Sequence, residues 1–334
     1  MNRITGICLL AAVAAVPGVA AIAGVAGASA PARPGLEGTV WVGNRGLPAV
    51  AAYDASSGSL QHTVALAARA SDVAAGKGKI YVGEEAANTI AVIDGRSGQV
   101  ITRIATGPRP HHLAGSMGGN YVTYSAFATN RAGVIDVRTD ELLGEWETSA
   151  SPLARTHASA LSTDARTLYA ANDGTNEITA LDTQTGELLY SIPVPRAHEL
   201  IVTADGRTAY VSCRSDNAIR VVDLEQRTIV AELALTLPDT LQLSRNGKQL
   251  TVGLRGTPAQ VAVVDTDSLA VTAVVTIPGT LAGHQWTSPN GRWTFAAFEG
   301  PAPGTAVIDH ELNEVVDVLP FPGGGQPHGI DQAG

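Results

Sequence analysis

Five histidines recur at nearly one interval along the chain: His112, His157, His198, His284 and His328, the gap before His284 being about twice the others. Asp72 and Asp239 fall on the remaining beats of the same rhythm. Neutral imidazoles converging from separate segments suit copper, iron, zinc or nickel, and a neighbouring carboxylate can ligate the ion or orient a ring. The five histidines are therefore the candidate metal ligands. Only eight histidines occur in the whole chain, and His111 adjoins the recurring slot, so six of the eight gather there. The competing reading is that these side chains hydrate a polar channel mouth or bond nearby backbone. A second recurrence accompanies the first: Arg109, Arg155 and Arg196 precede their histidines by two or three residues, and Arg69 likewise precedes Asp72. Guanidinium forks match carboxylate or phosphate oxygens. These four arginines, with Asp72, Asp239 and Glu299, are the candidate substrate-binding residues for a small anionic ligand. Glu299 qualifies because it follows the aromatic segment Trp293 to Phe298 and precedes a Pro-rich loop, Pro301 to Gly304, that reads as longer than its counterparts. Trp286, two residues beyond His284, is expected to fill the channel.

A residue repeated at this interval needs an element repeated at this interval. The clearest copy runs from Arg196 to Leu233 and parses into four short strands: Glu199 to Thr203, Ala209 to Cys213, Ala218 to Asp223 and Ile229 to Leu233. Asp205-Gly206 supplies a tight hairpin, since both residues tolerate positive φ. The third strand ends in an apolar run closed by aspartate, and that signature returns at Asp54, Asp94, Asp136, Asp182, Asp223, Asp265 and Asp309, with spacings of 40 to 46 residues. Such a period fits one four-stranded propeller blade and not a 34-residue helical repeat. The predicted fold is all-β, a seven-bladed β-propeller of four-stranded antiparallel blades.

Counting strands at the two ends predicts how the circle closes. The first strand-like segment, Thr39 to Gly43, reads as a second strand with none before it, and Pro327 to Ile330 reads as a first strand without a blade. The C-terminal strand is expected to join the N-terminal three and so remove the open sheet edge. In a propeller the first strand lines the channel, and its start shares one face with the turns between second and third strands. The candidate residues all fall on that face. Asn44, Glu84, Asn88, Asn130, Asn172, Asp173, Asp216, Asn217 and Arg255 also lie in those turns, where turn chemistry alone explains most of them. The other face carries Lys77-Gly78, Asp205-Gly206, Asn246-Gly247 and Asn290-Gly291, ordinary hairpins without a reactive group.

Residues 1–30 read as an export signal: Asn2-Arg3, an apolar stretch from Ile4 to Ala28, and the small-x-small pattern Ala28-Ser29-Ala30 before Pro31. Residues 31–334 then form one propeller domain, a closed array expected outside the cytoplasm, secreted or in the cell envelope. After cleavage no stable membrane span is expected. Cys213 would be the single remaining cysteine, which leaves no intrachain disulfide and no paired-cysteine metal site. The net charge of -9 contains no run of like charges, so no nucleic-acid partner is expected and the chain is read as a monomer.

YVGEEAANTIAVIDGRSGQVITRIATG and YVSCRSDNAIRVVDLEQ resemble the YVTN-type propeller repeat over essentially the whole mature chain. The resemblance implies the seven-bladed fold and an exported protein, with no fixed activity. The same shape occurs in the propeller domains of nitrous oxide reductase and cytochrome d1 nitrite reductase. This chain has no C-x-x-C-H haem attachment and no copper-binding cysteine pair, and it lacks the G-x-S-x-G, S-x-x-K, Walker and Rossmann patterns. No haem and no nucleotide are expected. The leading function is an exported propeller whose axial histidine ring binds a transition metal and acts on an anionic small molecule, as a metal-dependent oxidoreductase or lyase if it is an enzyme. The alternative is a noncatalytic propeller that binds a ligand or protein.

Overall fold

The computed structural model describes residues 33–127 and 129–333; the expected leader lies outside the described residues. Seven four-stranded antiparallel sheets follow one another around an axis. Blade 1 pairs Pro327–Ala333 with Thr39–Asn44, then Ala49–Asp54 and Leu60–Ala65, which is the closure that the strand count predicted. The inner strands of blades 2 to 7 are Ala70–Gly76, Pro110–Gly115, Thr156–Leu161, Glu199–Val202, Pro238–Leu243 and Leu281–Thr287. Among the described residues no helix is long and apolar enough to cross a membrane.

Burial follows the place of each strand in its blade. Second and third strands are sandwiched between neighbouring blades and are buried on both sides, as in Lys79–Glu84 and Thr89–Asp94, so they read as continuous apolar runs. Outer strands alternate between exposed and buried positions, as in Thr228–Ala234. The core is correspondingly divided into seven apolar clusters, each filling one seam between adjacent blades. Trp286 belongs to the seam between blades 7 and 1, packed 5.9 Å from Phe295. It therefore fills core and not the channel.

The aspartate that closes each third strand has a structural task. Asp94 Oδ1 accepts the amides of Arg96 and Ser97, Asp182 those of Gln184 and Thr185, and Asp223 those of Glu225 and Gln226. Asp54, Asp136, Asp265 and Asp309 make the same kind of cap. A short carboxylate satisfies the amides of the hairpin that leads to the outer strand, so the period of the repeat is a period of turns.

One polar chain crosses the seam between blades 6 and 7. Thr251, Thr287 and Thr294 hydroxyls lie 2.9 and 2.8 Å apart in sequence, and Thr294 Oγ1 is 2.7 Å from His310 Nε2. Burial pushes the His310 imidazole down to about 4. A depressed histidine contributes its stability above its unfolded value near 6.5 and loses it as pH falls through the folded value. Discounted for partial exposure, the loss between pH 7 and 4 is about 2 kcal/mol. Urea unfolding at both pH values should show His310→Gln with a correspondingly smaller pH dependence than the wild type; equal dependence in the two proteins would refute this role.

Candidate functional site at the channel mouth

The recurring slot sits where each inner strand begins, and there the pairing with the second strand slips. Shifts fall between Ala70 and Val73, Pro110 and His112, Thr156 and Ala158, Pro238 and Leu241, and Ala282 and Gln285. A bulge of this kind re-aims a side chain out of the alternating pattern. Here it turns Asp72, His112, His157, Asp239 and His284 toward the axis. Space at the axis is tight: a Cβ added to Gly329, beside His328, would stand 2.6 Å from the Asp72 Cα.

The imidazoles are not equivalent. His112 and His284 approach with ring centroids 4.9 Å apart, and Asp72 lies between them, Oδ2 at 3.9 Å from His112 Nε2 and Oδ1 at 3.8 Å from His284 Nδ1. One ligand atom from each of these three residues falls within 4.8 Å of the other two. Asp72 is held in place by the amides of Val73 and Leu113, at 2.8 and 3.0 Å. The remaining histidines have other partners. His198 Nε2 donates to Asp239 Oδ1 at 2.9 Å, and its ring stacks on His157 with centroids 3.6 Å apart. Arg45 Nη1 donates to His328 Nε2 at 3.2 Å, so that nitrogen accepts and Nδ1 carries the proton, 3.8 Å from Glu299 Oε1.

The electrostatics separate two parts of the mouth. Asp239 is clamped by Arg214 and by Arg255, the latter through Nε at 2.5 Å. Burial opposes its ionisation, but His198 and the two guanidiniums outweigh burial and hold the carboxyl far below the usual range. Asp72 and Glu199, 2% and 3% exposed, have no lysine or arginine within ion-pair distance among the described residues. Their neighbour is His112, whose Nε2 is 3.6 Å from Glu199 Oε1. Burial disfavours its imidazolium; the carboxylates of Glu199, Asp72 and Asp239 overcome that and raise it to about 9. His157 and His328 lie well below the ordinary value, first through burial and then through neighbouring positive charge. Both ring nitrogens of His112 and one each of His157 and His328 lack a hydrogen-bond partner.

The arginines singled out by spacing stand elsewhere. Arg109, Arg155 and Arg196, and also Leu237 of blade 6, have φ between +47° and +60° and form the left-handed turn before each inner strand. The amides of Arg109, Arg196 and Leu237 are fixed by the side-chain oxygens of Asn88, Asn176 and Asn217, at 2.9 to 3.0 Å. The Arg109 side chain pairs with Glu85 and that of Arg155 lies 3.9 Å from Asp173, both more than half exposed; Arg69 and Arg196 are exposed as well. The four arginines thus stand at the exposed rim, outside the buried ring. The guanidiniums at the ring are Arg45, Arg214 and Arg255, each the first residue after a second strand. Reading that turn slot across blades, Arg45, Glu85, Phe127, Asp173, Arg214 and Arg255, would have found them; Glu199 was visible only as a divergent neighbour of His198. The loop after Glu299 spans residues 300–303, no longer than most of its counterparts.

Seven blades closed through a shared first sheet, with ionisable side chains gathered at one end of the axis, make this a β-propeller with a buried polar mouth. The family model of outer membrane protein assembly factor BamB matches residues 128–310, more than half of the chain, and the chain belongs to that family. No curated protein sequence matches it. Solved structures are similar in fold. A protein of unknown function from Desulfotomaculum acetoxidans has a TM-score of 0.76 at 12% identity, over 89% of this chain and 99% of its own. Hydrazine synthase from Kuenenia stuttgartiensis gives 0.66 at 20%, over 78% and 89%. Dihydro-heme d1 dehydrogenase NirN, in complex with DHE, gives 0.66 at 17%, over 91% and 78%.

Proposed function

We propose that the channel mouth holds one transition-metal ion through Asp72, His112 and His284. The observation that carries this is the His112 imidazole, 6% exposed, with neither nitrogen hydrogen-bonded, set between two buried carboxylates that no lysine or arginine neutralises. Buried carboxylates call for a compensating positive charge; without an ion the His112 imidazolium supplies it, and an ion would take its place as the ring gives up its proton. Donor atoms about 2.0–2.2 Å from a shared ion stand roughly 3–4 Å from one another; Asp72 stands 3.9 and 3.8 Å from the two imidazoles, and all three ligand atoms lie within 4.8 Å of one another, close enough for a small inward shift to complete the set. Two imidazoles and one carboxylate on one side leave positions open for a ligand and suit iron(II), zinc or copper. His157, Nδ1 unpartnered, stands beside this set as a proton acceptor or donor. The signal-like N-terminus and the family both support a place in the cell envelope, and the quoted repeats support a YVTN-type subgroup.

The test is elemental analysis of untagged protein after exposure to zinc, copper, iron and nickel and removal of excess. One ion per chain is expected, with loss of at least a hundredfold in affinity for His112→Ala and His284→Ala and near-normal loading for Arg109→Gln. Substoichiometric loading with every ion, or unchanged loading in both histidine variants, would overturn the proposal. A second reading follows from the family's name, an assembly factor: a noncatalytic propeller that binds another protein. Failure of the metal test would put that reading first.

A further inference from the structure

We infer that the mouth takes a small oxyanion, a carboxylate or an inorganic oxyanion of a few heavy atoms, anchored by Arg45 and directed at the ion proposed above. The inference rests on that metal reading for the direction in which the anion points, and on Arg45 for its charge. Arg45 is half-buried, its backbone amide is fixed by Gln326 O at 2.8 Å, and its guanidinium reaches into the ring against His328 Nε2. Among the described residues it has no carboxylate within ion-pair distance, whereas Arg214 and Arg255 share Asp239. His328 accepts one Arg45 hydrogen bond, which leaves most of the guanidinium fork without a partner of opposite charge. A fork in this state is a receptor for paired oxygens.

The geometry limits the size of the guest. His328 lies between Arg45 and His284, with the two imidazole centroids 5.0 Å apart, and His284 is one of the three residues assigned to the ion. An anion with one oxygen on Arg45 and another toward the ion thus has to cross about one imidazole. The centroids of His112 with His157 and with His284 are 6.0 and 4.9 Å apart, too close for a group to stack between them, so a guest has to sit beside the rings and be small. Phe127, 5.4 Å from His157 and overlaid by the Arg155 guanidinium at 5.7 Å, walls one side of the mouth. Glu299 stands on another side near His328, where burial raises its carboxyl above the usual range, and would repel a guest carrying a second negative group there.

Calorimetric titration with formate, oxalate and inorganic phosphate at low ionic strength tests this, using both metal-loaded and chelator-treated protein. At least one of the three is expected to bind the loaded protein, more tightly than the chelator-treated one, and Arg45→Gln should weaken it tenfold or more while metal content stays unchanged. Arg109→Gln is the control for general surface charge and should change affinity less than twofold. Binding that is equal in wild type and Arg45→Gln, or no binding of any probe to either form, overturns the inference. If the wild type takes up no metal but still binds an anion through Arg45, the metal reading falls and the anion site stands.

Discussion

Removal of Gln326–Gly334 is expected to lower the melting temperature by roughly 8 °C and to produce concentration-dependent association. The lost strand pairs with Thr39–Asn44 from Thr39↔Ala333 to Asn44↔Pro327 and buries Ile330 and Ala333 at the seams beside blade 1. Asp331 Oδ2 also accepts the amide of Ala75 in blade 2 at 2.7 Å. Burial of one large aliphatic side chain contributes about 1.5–3 kcal/mol, and each intramolecular hydrogen bond about 1 kcal/mol net. At about 2.1 cal/mol/K per residue over about 300 residues, a loss of about 5 kcal/mol corresponds to roughly 8 °C. The strand left behind, with fully buried Trp41 at its centre, becomes an open edge able to pair with another chain. Differential scanning calorimetry with analytical ultracentrifugation reads both effects; a truncated chain that melts like the whole one and sediments as a monomer would show that closure contributes little.

Asp239→Ala should be the most damaging single substitution at the mouth. It leaves Arg214, Arg255 and the Nε2–H of His198 without their common acceptor. Breaking a buried ion pair from one side costs about 3–5 kcal/mol, and because both guanidiniums are about a third exposed we expect about 2–4 kcal/mol in urea unfolding. The carboxyl's depressed ionisation gives the sign of its pH dependence: this stabilisation is complete above the unfolded aspartate value near 4 and is lost only as pH falls further. At pH 6 to 8 the deficit of the variant should be constant. A deficit under 0.5 kcal/mol would mean that solvent satisfies the arginines.

The seven-unit period, the closing strand and the axial slot were all legible because each follows from a local rule. Aspartate caps a hairpin, a sandwiched strand is apolar throughout, and a missing first strand at one end is matched by a spare one at the other. The slot's histidines and aspartates were found by counting from hairpins, even at Gly283-His284, because all the inner strands but that of blade 5 pair with their second strands through a bulge. The same counting placed the arginines on the chain but not in the ring. Their recurrence marks a left-handed backbone position rather than a direction of approach, and no spacing rule says where a long side chain on such a turn will point. Arg45 and Arg214 went unseen for the converse reason: the turns that carry them looked like ordinary connections, and only ring closure through Pro327–Ala333 and the packing of blade 5 on blade 6 bring their ends to His328 and Asp239.

Because the mouth draws residues from all seven blades, and because His328 is supplied by Pro327–Ala333, the site has no precursor. A ribosome-bound or partly threaded chain that lacks this strand has neither a closed circle nor the His328 that receives Arg45. Occupancy of the mouth is then a report on closure: a guest held against Arg45 and His328 requires Pro327–Ala333 to be in place, in whichever compartment that happens, and a molecule missing one blade would be recognisable by its empty axis.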